Sequence, residues 1–199
     1  MNVLVEGERF VDEDRYAEQL TGHTFRDCEF VEVDLTEAET QGCRFESCRF
    51  ERVRFNASVH RQSSFTACTF DSTSFFGATL EGCRLDGSVL TSCTLTPLTV
   101  EGGSWWGVTL VGADLRRLVL RDLRLVDADL SEADLRGTDL RGSDLSGAVL
   151  RRARLEQADL RGASLPGVDL AGASVRGTRL DLLGAVALST SLGAVVVEG

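Results

Sequence analysis

From Leu20 to Leu180 every fifth residue is apolar, with Thr40 and His60 the two exceptions, and no insertion shifts the frame. A period of five fits neither the two-residue repeat of a strand nor the 3.6-residue repeat of a helix. The chain must turn repeatedly and return each fifth side chain to a common interior. This predicts a solenoid whose core is a line and not a globule's centre.

Around each apolar centre the pattern is regular. The residue two before it is small, the one directly before it polar, and the two after it mostly polar or glycine, as in the pentads beginning at Ala128, Ala133, Thr138 and Ser143. One large and one small inward position per five residues fill a narrow core, and three outward positions keep it soluble. Glycines two after the centre, such as Gly137, Gly142, Gly147 and Gly162, suit sharp corners. They lack the strand-to-helix context of a nucleotide-binding loop.

Cys28, Cys43, Cys48, Cys68, Cys83 and Cys93 all occupy the small slot that alanine fills later in the chain. They read as buried small hydrophobes, with no metal-ligand spacing and no disulfide framework. The chain has no lysine and two histidines, His23 and His60, so neither a serine nor a cysteine nucleophile has an evident base. Carboxylates such as Asp129, Asp134 and Asp139 recur as repeat grammar. A non-enzymatic protein without cofactor is expected.

The repeated A(D/N)LXX pentads resemble those of pentapeptide repeat proteins, over roughly residues 20 to 180. That resemblance implies a right-handed quadrilateral parallel β-helix, all-β, with four pentads per coil of about twenty residues and about eight coils. Stacking twenty residues apart then places Cys28, Cys48, Cys68 and Ser88 in one interior ladder and makes Thr40 and His60 neighbours, their polar groups bonded to each other or to water. At about 4.8 Å between coils the rod is roughly 38 Å long. Pro97, Gly102, Gly103 and Trp105 signal a deformation near its middle.

Residues 1–19 are expected to form an N-terminal cap and partial coil, and 181–199 a dimerisation module. In that tail Leu182, Leu183, Val186 and Leu188 suit a short helix ending near Gly193, and Val195, Val196 and Val197 a strand. The apolar tail predicts a twofold homodimer. No leader pattern and no apolar run approaching 18 residues is present, so a cytoplasmic protein without membrane contact is expected.

The segment from Phe10 to Phe30 and the apolar tail are similar to the MfpA and Qnr type within that family. This likeness implies a mimic of duplex DNA that binds DNA gyrase or topoisomerase IV and protects it from quinolones or other poisons. The unbroken frame lacks the loops of the Qnr type and is closer to MfpA. Net charge is −10, which disfavours nucleic acid as a direct ligand. Residues 1–40 hold twelve acids against three arginines, a net of −9, and the remainder is nearly balanced. Asp12, Asp14, Glu29, Glu32 and Asp34 are therefore the candidate partner-binding residues. A general interaction scaffold is the alternative, with Phe76, Trp105 and Trp106 as candidate aromatic contacts.

Overall fold

The computed structural model describes residues 3–197; residues 1, 2, 198 and 199, the outermost positions of the expected cap and tail, lie outside it. The twenty-residue step governs the whole fold. Val5 pairs with Phe25, Phe25 with Phe45 and Phe45 with Phe65, always in parallel and without a slip of register. The same step relates Phe10, Phe30, Phe50, Phe70 and Leu90 on a second wall, and Leu20, Thr40, His60, Leu80 and Val100 on a fourth. The third wall, centred on Arg15, Leu35, Phe55 and Phe75, is joined by single bridges such as Asp14 to Asp34 and Asp34 to Arg54.

These four walls make a parallel β-solenoid. Its three-residue strands run from Leu4 to Glu101 in sheets of four, five and five. Beyond them the same step continues in isolated bridges, from Ser104 with Arg124 to Asp159 with Arg179. Leu4–Glu6 and Arg9–Val11 already keep the register, so coiling begins within the first nineteen residues.

The core follows from the pairing. Phe25, Phe45 and Phe65 stack with centroids 5.0 and 4.7 Å apart, and Phe30, Phe50 and Phe70 at 4.9 and 4.7 Å. That spacing is the distance between hydrogen-bonded strands. Rings on adjacent walls meet edge to face, Phe45 and Phe50 at 66°, a favoured arrangement for their quadrupoles. The small slots hold a second ladder: Cys48 and Cys68 donate to the carbonyls of Phe25 and Phe45 at 3.4 and 3.3 Å, and Ser88, Thr138 and Thr178 make the same bond to Phe65, Leu115 and Leu155 at 2.7 Å. Cysteine, serine and threonine thus share the slot because each reaches the carbonyl one coil below.

A fault interrupts the stack between the fifth and sixth coils. Among the described residues no bridge joins Thr94 to Asp114 or Thr99 to Val119, although the first and second walls stay bridged there by Arg84 with Ser104 and Val89 with Thr109. In a regular corner the residue two after the centre donates its N–H to the next coil, as Ala57 does to the Phe76 carbonyl. Pro97 holds that corner position and has no N–H to give. Gly103 lies in the same disturbed coil at φ +105, where a Cβ would stand 2.1 Å from the Cys83 carbonyl oxygen.

Each end is closed differently. Arg15 occupies a core-centre position on the lowest coil, and its guanidinium carbon sits 4.3 Å from the centroid of Phe10 while it pairs with Glu13 and Glu18. At the other end a helix spans Leu182–Ser191, with Asp181 as N-cap accepting from the Gly184 N–H at 2.9 Å and from the Gly162 N–H at 2.7 Å. Ser191 accepts from the Leu170 N–H, and Ala187 and Leu188 rest on the last coil. The expected strand over Val195, Val196 and Val197 does not form; the segment is coil and exposed, and among the described residues no strand pairs with it to take its hydrogen bonds.

Candidate functional site

The corner between the second and third walls gathers four of the five acidic candidates. Asp12 and Glu32 occupy its turn positions, at φ +53 and +58. Asp14 and Asp34 open the third wall and are bridged to one another, whereas Glu29 opens the second wall, at its other end. Residues up to 22 apart in sequence therefore share one edge of the two lowest coils.

Charge on the five candidates is compensated unevenly. Glu29 pairs with Arg9 at 3.2 Å, Glu32 with Arg52 at 2.8 Å and Asp34 with Arg54 at 2.8 Å. The Arg54 guanidinium holds the Asp34 carboxyl down at about 2. Asp12 and Asp14 enter no ion pair among the described residues, although Arg54 lies near enough for its own pKa to be raised by both. The acidic strip is thus two coils tall, closed above by Arg52 and Arg54, and its free charge resides on Asp12 and Asp14. The linear count of −9 overstates it because the neutralising arginines come from the next coil.

The aromatic candidates are not one site. Trp105 is fully buried in the first wall, its indole Nε1 without a partner among the described residues, and offers no contact surface. Phe76 is 55% exposed on the third wall, whereas Trp106, 45% exposed, follows the first wall and donates from Nε1 to Asp127 at 3.2 Å. First and third walls face away from each other across the coil, so Phe76 and Trp106 cannot share a ligand.

Thr40 and His60 are adjacent in register and buried. His60 Nδ1 lies 2.9 Å from the Thr40 hydroxyl and Nε2 2.9 Å from the Ser58 hydroxyl. Ser58 donates to the Phe55 carbonyl at 2.7 Å. Assigned from this network, the ring donates from Nε2 and accepts at Nδ1. Burial pushes its pKa down to about 3, so it is neutral and structural. Burial likewise pushes the Cys83 and Cys93 thiols up to about 11, which leaves them poor nucleophiles.

Of the tail candidates, Leu182 and Leu183 are 79% and 77% exposed, Val195, Val196 and Val197 are exposed, and Val186 and Leu188 are half-buried. No helix among the described residues is long and apolar enough to cross a membrane.

Comparison with known proteins adds a family and a fold. A family model described as pentapeptide repeats matches eight copies over residues 48–87, 109–147 and 143–181. The unmatched residues 88–108 contain Pro97, Gly103 and Trp105, the surroundings of the fault. The structure is similar to that of a trypsin-treated variant of QnrB1, a plasmid-mediated fluoroquinolone resistance protein, at 23% identity and a TM-score of 0.86, covering 98% of each chain. It is similar also to full-length QnrB1, at 20% identity and a TM-score of 0.66, covering 96% of this chain and 100% of that one. No curated protein matches in sequence.

Proposed function

The chain belongs to the pentapeptide repeat family, and on that premise we propose that it is a non-enzymatic DNA mimic that binds DNA gyrase or topoisomerase IV and protects the enzyme from quinolones or related poisons. The observation that carries this reading is the exposed pair Asp12 and Asp14, which enter no ion pair among the described residues, beside Asp34 at one end of a solid rod. Carboxylates at successive coils, about 4.8 Å apart, present an anionic edge to a basic surface that otherwise takes DNA phosphates. The fold shared with QnrB1 over nearly the whole of both chains supports it.

The exposed leucines and valines of the tail support a homodimer through the C-terminal end. In such a dimer the two acidic edges stand at the distal tips. A scaffold role for some other partner rests on Phe76 or Trp106 alone, since the two stand on opposed walls.

The test is a supercoiling and drug-dependent cleavage assay with purified gyrase and topoisomerase IV, with and without a quinolone. Less cleavage complex at unchanged drug, with protection declining as salt rises, is the expected result. No binding and no effect on either enzyme at any salt concentration overturns the reading.

A further inference from the structure

Past the fault, the corner between the third and fourth walls reverses the sign of the molecule. Its turn row reads Arg117, Gly137, Gln157 and Gly177 in successive coils. Two of the four lack side chains. The Cγ atoms of Arg117 and Gln157 lie 3.5 and 3.7 Å from where a Cβ on Gly137 or Gly177 would stand, so the long side chains lean over the glycines. The corner is consequently a trough and not a ridge, with a concavity of about 960 Å³ that runs on into a second of about 660 Å³.

Seven arginines and four acids line the two concavities, a local net of +3 in a chain of −10. Arg136 and Arg161 are each forked on the aspartate two residues before them, Arg136 Nε and Nη2 at 2.7 and 2.6 Å from Asp134 and Arg161 Nε and Nη2 at 2.9 and 2.7 Å from Asp159. Their planes are thereby fixed, with Nη1 left over. Arg117 and Arg176 are exposed and enter no ion pair among the described residues.

We propose that this trough binds an acidic peptide segment of a partner protein, with its carboxylates on Arg117 and Arg176. The lining holds no aromatic side chain on which bases of a single strand could stack. The overall negative charge also opposes a dense polyanion more than a short acidic segment. Arg117 and Arg176 are three coils apart, about 14 Å, which an extended peptide spans in about four residues. The site is independent of the acidic edge and of any topoisomerase.

A fluorescent peptide of about eight residues with two glutamates four apart, tested by anisotropy against its all-glutamine counterpart and an oligothymidylate of about the same length, examines this directly. The glutamate peptide should bind more tightly than either control. Arg117→Gln with Arg176→Gln should weaken it by about tenfold or more, while Asp12→Arg with Asp14→Arg leaves it bound. Neither arginine side chain has an ion-pair partner among the described residues, so unchanged thermal melting should verify that the variant remains intact. Equal binding of the glutamine peptide, tighter binding of the oligonucleotide, or retained binding by the arginine variant overturns the proposal.

Discussion

His60 shows how one polar residue is accommodated in an apolar ladder, and what it costs. Its two ring nitrogens are matched by Thr40 and Ser58, and its folded pKa is about 3 against an ordinary 6.5. A base whose folded pKa is depressed contributes stability that is whole above 6.5 and is lost as pH falls toward 3, because the unfolded chain takes the proton first. Each pH unit in that window removes about 1.4 kcal/mol, so urea unfolding at pH 5 should give a stability about 2 kcal/mol below that at pH 7. Asp34, held at about 2 by Arg54, adds a separate loss only below its ordinary 3.8. His60→Leu should flatten the upper part of this profile and still fold, since Thr40 keeps Ser63 at 2.9 Å and Ser58 keeps the Phe55 carbonyl. An unaltered slope between pH 7 and 5 in that variant would refute the assignment. The adjacency of Thr40 and His60 was legible from the twenty-residue step; the role of Ser58 was not, because it fills an ordinary small slot two residues before the ring.

At the scale of the coil, the fault is the element that single-residue changes can probe. Gly103 combines φ +105 with a carbonyl oxygen 2.1 Å from the place a Cβ would take, so Gly103→Ala meets both a backbone and a steric penalty. It should destabilise by more than about 2 kcal/mol, whereas Gly107→Ala, at φ +61 with open space around it, should lose about 1 kcal/mol or less in the same denaturation series. Equal effects would show that the disturbed coil is no tighter than its neighbours. The walls were readable in the sequence because pairing partners share a fixed spacing and a slip would expose every centre. The end structures were less so: Arg15 stands where a centre residue belongs and closes the core by lying over Phe10, which no periodicity foretells. The helix was readable from its apolar residues, but Val195 to Val197 find no strand to pair with among the described residues. If a second chain covers this end, Leu182→Glu with Leu183→Glu should convert a dimer into a monomer by sedimentation without unfolding it, since both side chains are exposed and their loss uncovers no core. A dimer that persists in this variant would place the interface elsewhere.

Across the whole molecule, charge is arranged by edge and not by stretch of sequence. Counted along the chain, the first forty residues carry −9, yet Arg52 and Arg54 fold back onto Glu32 and Asp34, and Arg26 bridges toward Glu6 and Glu46. Partners twenty residues away cancel much of that field before any ligand meets it. Five acidic candidates therefore should not contribute equally to binding a basic partner. Asp12 and Asp14 enter no ion pair among the described residues, so Asp12→Arg with Asp14→Arg removes attraction and adds repulsion. Glu29 and Glu32 must first release Arg9 and Arg52, and exposed pairs of this kind contribute about 1 kcal/mol or less. Measured as gyrase affinity over a range of salt concentrations, the Asp12 and Asp14 reversal should lower affinity by about tenfold or more at low salt and flatten its salt dependence, while Glu29→Gln with Glu32→Gln changes it by about threefold at most. Equal losses from the two pairs would mean that the partner breaks the intramolecular bridges on docking, and that the count along the chain, not the edge, is the relevant charge.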